Sequence, residues 1–580
     1  MLLQLVIALQ LVCKPFSPSE VTLLPSRFSD NAKRDTAWLM SIPVESLVHS
    51  FQTTSGVWAG KEGGYMTVRK LGGWESMDCE LRGHTTGHIL SALAWFEGST
   101  GSQEAHAKAD SILTALYEVQ QAHGNGYLSA FPEELINRNI RGKSVWAPFY
   151  TLHKILQGLI DQYNYCGSEK ALEMARGMGD WAYNKLCNLD EETRTRMIRN
   201  EFGGFNDAMY QLYAITGDEH HLWVARYFYH NDKVDPLKNG NSNLGTNHAN
   251  TFIPKLLGEA RNYEMFGATD SRSAAELLFW TLVNDHAFVT GEVSDKEHLF
   301  KPSAQSKHLS GYDGENCCTF NLLKLADHVF CWNPSSEVAD YYERALYNHI
   351  LGQQDTLSGM VCYFTPLMTG AYRLLSTRDQ SFWCCVGSGF EQHLKYNSSI
   401  YFHSDNALWI NLLIPSQLNW DGTTITQQSS ISTAILTIGG KAREFAMKLR
   451  RPYWATSMEV KVNGRKISAK TDESGYCSIQ RKWKTGDKVE VTYGIDIHEE
   501  ATADAPNRYA LLYGPIVMAG RLEDLNESAQ IFSDPKAYND YYSFDYKIPE
   551  EFKQVKYSSD IPLIPFYNAQ RCRYVVYWQK

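Results

Sequence analysis

The hydrophobic period changes once along this 580-residue chain, and that change fixes the classes of fold open to it. From about residue 30 to 355, apolar side chains recur every three or four positions, as in Ile89-Leu90, Leu93-Ala94 and Phe96, in Leu152, Ile155-Leu156 and Leu159-Ile160, and in Ala274-Ala275, Leu277-Leu278 and Leu282. That is the spacing of a buried helix face. After about residue 395 the period falls to two, in Leu408 to Ile414, Ala434 to Ile438, Glu459 to Gly464 and Val489 to Tyr493. Asn463-Gly464 and Thr485-Gly486 supply turns between short strands. The chain therefore reads as a multidomain α + β protein, helical first and most simply a β-sandwich after.

The helical part is punctuated at Thr100-Gly101-Ser102, Cys166-Gly167-Ser168, Thr216-Gly217-Asp218 and Phe266-Gly267-Ala268. Glycine suits the left-handed residue that ends a helix, and Ser or Asp suits the cap of the next. The last three marks are 50 residues apart by their numbering, a period expected of a ring or solenoid of helix pairs. A polar residue opens the first helix of each unit: His88, His153, Asn206-Asp207 and His248. In a closed ring these helix starts would share one end. Each histidine alone could equally be a satisfied core residue; the recurrence at equivalent positions favours a site. Gly-rich aromatic loops, Lys70 to Glu75, His123 to Leu128 and Glu201 to Phe205, lie between units, where a rigid scaffold places its chemistry.

The net charge of -10, without a block of like charges, argues against a nucleic-acid partner, which would call for a basic patch. Aromatic residues make up 13% of the chain, a composition that suits either a carbohydrate site or a large core. The start, Met1 to Cys13, is an apolar run about the length of a signal-peptide core and too short to span a bilayer. It points to export, periplasmic or extracellular. Val12 is too large for the residue that precedes a lipidated Cys13. The expected divisions are a leader over 1–18, a helical domain over 19–395, a β-sandwich over 396–500, and a β-rich extension or part of a second sandwich over 501–580.

Of 12 cysteines, four cluster as Cys317-Cys318 and Cys384-Cys385. Adjacent cysteines rarely reach disulfide geometry with each other. Soft thiolates with one carboxylate suit Zn2+, and a zinc-bound thiol is ionised at neutral pH, so it can act as a nucleophile as well as a ligand. The proposed ligands are Glu315, Cys317, Cys384 and Cys385. Purely structural zinc and buried unliganded thiols remain alternatives at this point. Glycosidases usually employ two carboxyl groups; a zinc-held thiolate could replace one of them, with Glu297, a short loop before Glu315, as the proton donor. A solvated loop carboxylate is the competing reading of Glu297.

The segments Gly72 to Glu75 with Glu80 to His88, Val145 to Lys154, Asn247 to Thr251, Glu315 to Asn321 and Phe382 to Gly387 resemble the β-L-arabinofuranosidase group, glycoside hydrolase families 127 and 146. The loops look closer to family 146. The likeness runs in order from about residue 25 to 520. It implies an (α/α)6 barrel followed by β-sandwich modules, and retaining hydrolysis of terminal β-L-arabinofuranose from plant polysaccharides or oligosaccharides. It implies Cys384 as zinc-bound nucleophile, Glu315, Cys317 and Cys385 as the other ligands, and Glu297 as acid/base. It also implies His153, His248, Glu343 and Tyr363 near the sugar, with His88 among the candidate contacts. Two departures stand out. No histidine occurs in Gly204 to Asp207, where one branch has a sugar contact, and Asn316 replaces a common Thr. Alternatives are a zinc-thiolate glycosidase for another pectic sugar, and a non-catalytic carbohydrate binder with structural zinc.

Overall fold

The structure, a computed structural model, describes residues 11–58, 68–526, 544–553 and 555–580. Its longer helices follow one another in pairs: α1 Arg27–Ser41 and α2 Val44–Ser55, α3 His84–Thr100 and α4 Gln103–His123, α5 Pro148–Cys166 and α6 Glu169–Leu186, α7 Phe205–Thr216 and α8 Glu219–Tyr227, α9 Ala249–Phe266 and α10 Thr269–Thr281, α11 Asn316–Trp332 and α12 Ser336–Ala345. A final helix, α13 Cys384–Leu394, precedes the strands. Helix α3 packs on α5, α5 on α7, α7 on α9, α9 on α11, α11 on α13, and α13 back on α3. The inner position of α3 follows from its sequence, since every residue from His84 to Trp95 is buried, as required of a helix covered on all sides.

The glycine punctuation ends helices as its chemistry predicts. Gly101, Gly167, Gly217 and Gly267 all close their helices with positive φ. Ser102, Ser168 and Asp218 then cap the following helices by accepting backbone N–H groups. Ala268 cannot, and α10 starts without a side-chain cap. These caps fix where each inner helix stops and the next one starts.

The strands of the first β module form a five-stranded sheet ordered β1-β3-β4-β8-β11 and a seven-stranded one ordered β10-β9-β12-β7-β6-β5-β2. Here β1 is Lys14–Pro15, β2 Val21–Leu23, β3 Tyr401–His403, β4 Ala407–Ile410, β5 Ser416–Trp420, β6 Thr423–Ser429, β7 Thr433–Gly440, β8 Arg443–Arg450, β9 Ser457–Val462, β10 Arg465–Ile467, β11 Tyr476–Trp483 and β12 Lys488–Gly494. Burial alternates along β6 and β7 as the period of two demands. The N-terminal segment thus gives one strand to each sheet: Lys14 pairs with His403, and Val21 with Leu418. Cys13 is buried, and the Val12 backbone bonds to Cys331 of α11 at 2.9 Å. Residues 12–18 of the expected leader are therefore integral to the fold, whereas residues 1–10 lie outside the described residues. The helical region and this module share a continuous core, in which Phe330 of α11 meets Phe402 of β3 with ring centroids 4.5 Å apart.

Strands β13 Ile497–Thr502, β14 Ala505–Tyr513, β15 Ile516–Asp524, β16 Leu563–Pro565, β17 Cys572–Val575 and β18 Tyr577–Gln579 make a third, six-stranded sheet. One face buries Leu512, Val517 and Val576 against Phe288, Phe300 and Leu367 of the helical region. The sheet therefore packs back on the segment that precedes α11 and the one between α12 and α13.

Candidate active site

Two helix N-termini converge on one point. Glu315 is the N-cap of α11 with Cys317 in its first turn, and Cys384 and Cys385 are the first residues of α13. Both helices present the positive end of their dipole, which favours thiolate and carboxylate there. The Sγ atoms of Cys384 and Cys385 lie 3.8 Å apart, those of Cys385 and Cys317 3.4 Å, and Cys384 Sγ is 4.0 Å from Glu315 Oε1. All four residues are buried and their ligand atoms lie within 4.8 Å of one another. Sulfurs sharing a tetrahedral zinc at about 2.3 Å would stand about 3.8 Å apart. Glu315 Oε2 is buried with no hydrogen-bond partner among the described residues, so a cation would satisfy it. The set fits a metal ion.

Without one, the charges are strained. Burial drives the Glu315 carboxyl well above its ordinary range, the nearby Glu297 and Cys317 add to this, and Asn250 opposes it. Burial likewise pushes the Cys384 and Cys385 thiols up, reinforced by Cys317. At Cys317 burial is outweighed by hydrogen bonds from Cys384, Cys385 and Ser388, which hold it well below a normal thiol. Of the three thiols, ionisation is therefore favoured at Cys317. Ser388 Oγ lies 3.1 Å from Cys317 Sγ, and Asn316 reaches Ser388 and Gln392, so Asn316 supports the cluster from outside it.

Glu297 approaches on a tight hairpin. Lys296 and Glu297 both have positive φ, 50° and 66°, the mark of a turn whose two central residues are left-handed. Holding two non-glycine residues there costs about 1 kcal/mol or more each. The turn is clamped by Ala249 N–H donating to the Glu297 carbonyl at 2.8 Å and Leu299 N–H donating to Asn247 at 2.8 Å. The Glu297 carboxylate then meets Tyr363 Oη at 2.5 Å and His248 Nε2 at 3.3 Å. Tyr363 Oη in turn accepts from the Cys384 thiol at 3.2 Å. These groups line a cavity of about 330 Å³, with Trp74 and Trp146 on its wall and their rings 5.0 Å apart.

The other sequence candidates fall elsewhere. His88 sits beneath the cluster: Nδ1 bonds Glu391 of α13 at 2.5 Å and its ring abuts Gly387, tying α3 to α13. His153 Nδ1 accepts the Gly204 N–H at 3.0 Å, and any Cβ at Gly203 or Gly204 would crowd its ring. Its neighbour Lys154, which motif reading passed over, lines the cavity. Glu343 is not brought to the site. It is buried where α12 meets the first β module, ion-paired with Arg450 and accepting from Trp454 Nε1 at 2.9 Å. That correction has a plain cause: the β module covers the face of α12 that carries Glu343. Glu201, Asn250, Thr251, Phe320 and Asn321 also line the cavity; only the clustering of some of them near recognised motifs could have signalled this.

The sequence model of the β-L-arabinofuranosidase GH127 catalytic domain matches residues 20–398, and that of the GH127 middle domain residues 407–495. No curated protein matches the chain. A solved structure described as a GH127 β-arabinofuranosidase superposes with a TM-score of 0.74 at 17% identity, covering 98% of this chain and 98% of that one. A GH127 β-L-arabinofuranosidase from Geobacillus stearothermophilus T6 gives 0.71 at 17% identity, with 96% and 99% covered. A third structure, described as a glycoside hydrolase, gives 0.72 at 15% identity, with 99% and 98% covered. At such identities the structures speak for the fold, a helix-rich region followed by β-sheet domains, and the sequence models speak for the family. The protein is a glycoside hydrolase. Within that class, the chain belongs to the GH127 β-L-arabinofuranosidase family.

Proposed function

We propose that the protein is a retaining hydrolase that releases terminal β-L-arabinofuranose from plant glycans, with Cys384 as nucleophile and Glu297 as acid/base. The observation that carries this reading is the hydrogen-bonded line Cys384–Tyr363–Glu297 on one cavity wall. Zinc held by Glu315, Cys317, Cys384 and Cys385 would keep the thiol of Cys384 ionised at neutral pH. The Cys384 sulfur attacks the anomeric carbon while the Glu297 carboxyl gives its proton to the departing glycosidic oxygen, so a C–S bond forms as the C–O bond breaks. Glu297, now a carboxylate, takes a proton from water, whose oxygen displaces the sulfur and releases the sugar. Tyr363 and His248 orient Glu297 through both steps, and all three can reach furanose hydroxyls.

The closed circuit α3-α5-α7-α9-α11-α13, backed by the second helix of each pair, supports reading the helical region as an (α/α)6 barrel with the site at one end. The division into a barrel ending near 395, a sandwich to about 500 and a C-terminal sheet goes with that reading, and so does export of the protein. No helix among the described residues is long and apolar enough to cross a membrane. The decisive test is hydrolysis of aryl L-arabinofuranosides of both anomers, with and without a chelator. Turnover of the β anomer alone, lost on chelation and restored by zinc, is expected. Equal turnover of the α anomer, or indifference to chelation, would overturn the reading.

A further inference from the structure

A larger cavity, about 730 Å³, opens where the helical region meets both β modules. Ligand sites favour such domain junctions. Its walls come from all three parts: Trp280 at the end of α10, Asn284 and Gln305 in the short helical turns that follow, Glu337 and Arg344 of α12, Tyr453 of the first β module and Glu500 of β13. It shares no lining residue with the cavity over the thiols.

The floor is fixed. Arg344 makes a two-pronged ion pair with Glu500 at 2.6 and 2.8 Å and donates to Tyr453 Oη at 2.6 Å. That guanidinium is already neutralised, so it offers no free charge to an anion. The rim keeps unused polar groups. Gln305 Nε2 is held by the carbonyls of Asp285 and Ala287, which leaves its buried Oε1 with no hydrogen-bond partner. Glu337 and Asn284 are exposed and carry no ion pair or hydrogen bond to the described residues. Tyr453 is 44% exposed and Trp280 half-buried. Aromatic faces of this kind, wet at one end and apolar at the other, accept the C–H face of a sugar ring, and planar amides and carboxylates at the rim accept and donate to its hydroxyls.

We propose that this junction is a second saccharide-binding site, taking a neutral sugar residue stacked on Trp280 and Tyr453 with its hydroxyls on Asn284, Gln305 and Glu337. The unbalanced carboxylate of Glu337 sets the class: it welcomes hydroxyl donors and repels uronates. Such a site would hold a glycan at a distance from the cavity where its terminal residue is cleaved, raising the local concentration of chain ends.

The test reads binding and not turnover, so its outcome is separate from that of the reaction proposed above. Wild-type protein, Cys384→Ala, Trp280→Ala and Asn284→Ala are titrated with L-arabinose, D-galactose and short neutral oligosaccharides of each, with trigalacturonate as the anionic counterpart. Saturation-transfer NMR and calorimetry report affinity and stoichiometry. Neutral-sugar binding is expected to survive Cys384→Ala and to weaken by about tenfold or more in Trp280→Ala. The exposed Asn284→Ala, which removes one hydroxyl partner without touching the core, should weaken it by about threefold or more. Trp280→Ala should cleave a small aryl arabinofuranoside at the wild-type rate. Unchanged affinity in both rim variants, or tighter binding of trigalacturonate than of neutral chains, would overturn the proposal.

Discussion

The Tyr363 hydroxyl stands between the groups proposed as acid/base and nucleophile: it donates to Glu297 Oε1 at 2.5 Å and accepts from the Cys384 thiol at 3.2 Å. A phenol so placed fixes the carboxyl toward the sulfur and can follow either proton. Tyr363→Phe keeps the ring packed between Phe364 and Trp383 and removes only the bridge. We expect kcat on an aryl β-L-arabinofuranoside to fall about 10- to 100-fold with little change in KM and with the metal content unaltered. A kcat within about twofold of wild type would remove Tyr363 from the chain of groups that positions Glu297.

The three cysteines proposed as zinc ligands should separate by experiment. Cys317→Ala and Cys385→Ala are expected to lose metal and turnover together. Cys384→Ala should lose turnover by more than about a thousandfold even when zinc is supplied in excess, because it deletes the proposed attacking atom. Ser388→Ala is the subtler case. Its hydroxyl lies 3.1 Å from Cys317 Sγ and accepts from Asn316, so its loss should cut zinc affinity by about 10- to 100-fold and leave kcat at saturating zinc near wild type. Competition with a chromophoric chelator measures the first, and zinc-supplemented kinetics the second.

Glu343 gives a prediction opposite to the one its motif suggests. Its carboxylate and that of Asp340 share the Arg450 guanidinium of β8, and Trp454 completes the cage. Glu343→Ala leaves part of a buried cation unpaired, which costs about 3–5 kcal/mol. The expected outcome is a lower midpoint in thermal and denaturant unfolding, with KM for the aryl substrate unchanged in the protein that remains folded. A raised KM at unaltered stability would return Glu343 to the sugar.

How much of this was legible beforehand depends on the range of the interaction. Helix ends at Gly101, Gly167, Gly217 and Gly267 were readable because a left-handed glycine and its following cap act over a few residues. The Glu315, Cys317, Cys384 and Cys385 cluster was readable because few other chemistries explain paired thiols beside a carboxylate. Lys14–Pro15 and Val21–Leu23 were not: strands of two or three residues have no period to detect, and they exist only through partners near residues 402 and 418. His153 and Glu343 misled for a related reason. The motif around each is local, but what covers it, the Gly203-Gly204 turn or the β module, comes from far along the chain.

The Arg344–Glu500 pair couples the contact between α12 and the C-terminal sheet to pH. Burial alone would raise the Glu500 carboxyl, but hydrogen bonds from His498, Arg344 and Tyr453 and the charge of Arg344 outweigh it and bring it down to about 2, from 4.5 when unperturbed. A carboxyl depressed on folding stabilises the protein fully above its unfolded value, and that stabilisation drains away as pH falls from about 4.5 toward about 2. The span corresponds to at most about 3 kcal/mol; with the Glu500 side chain 29% exposed, solvent screening reduces it to about 1–2 kcal/mol. Glu500→Gln should therefore lower the unfolding midpoint at pH 7 and flatten its decline below pH 5, so that wild type and variant converge near pH 2. Scanning calorimetry across that range measures it. Parallel curves with a constant offset would mean that the carboxylate charge contributes nothing to holding the C-terminal sheet against α12.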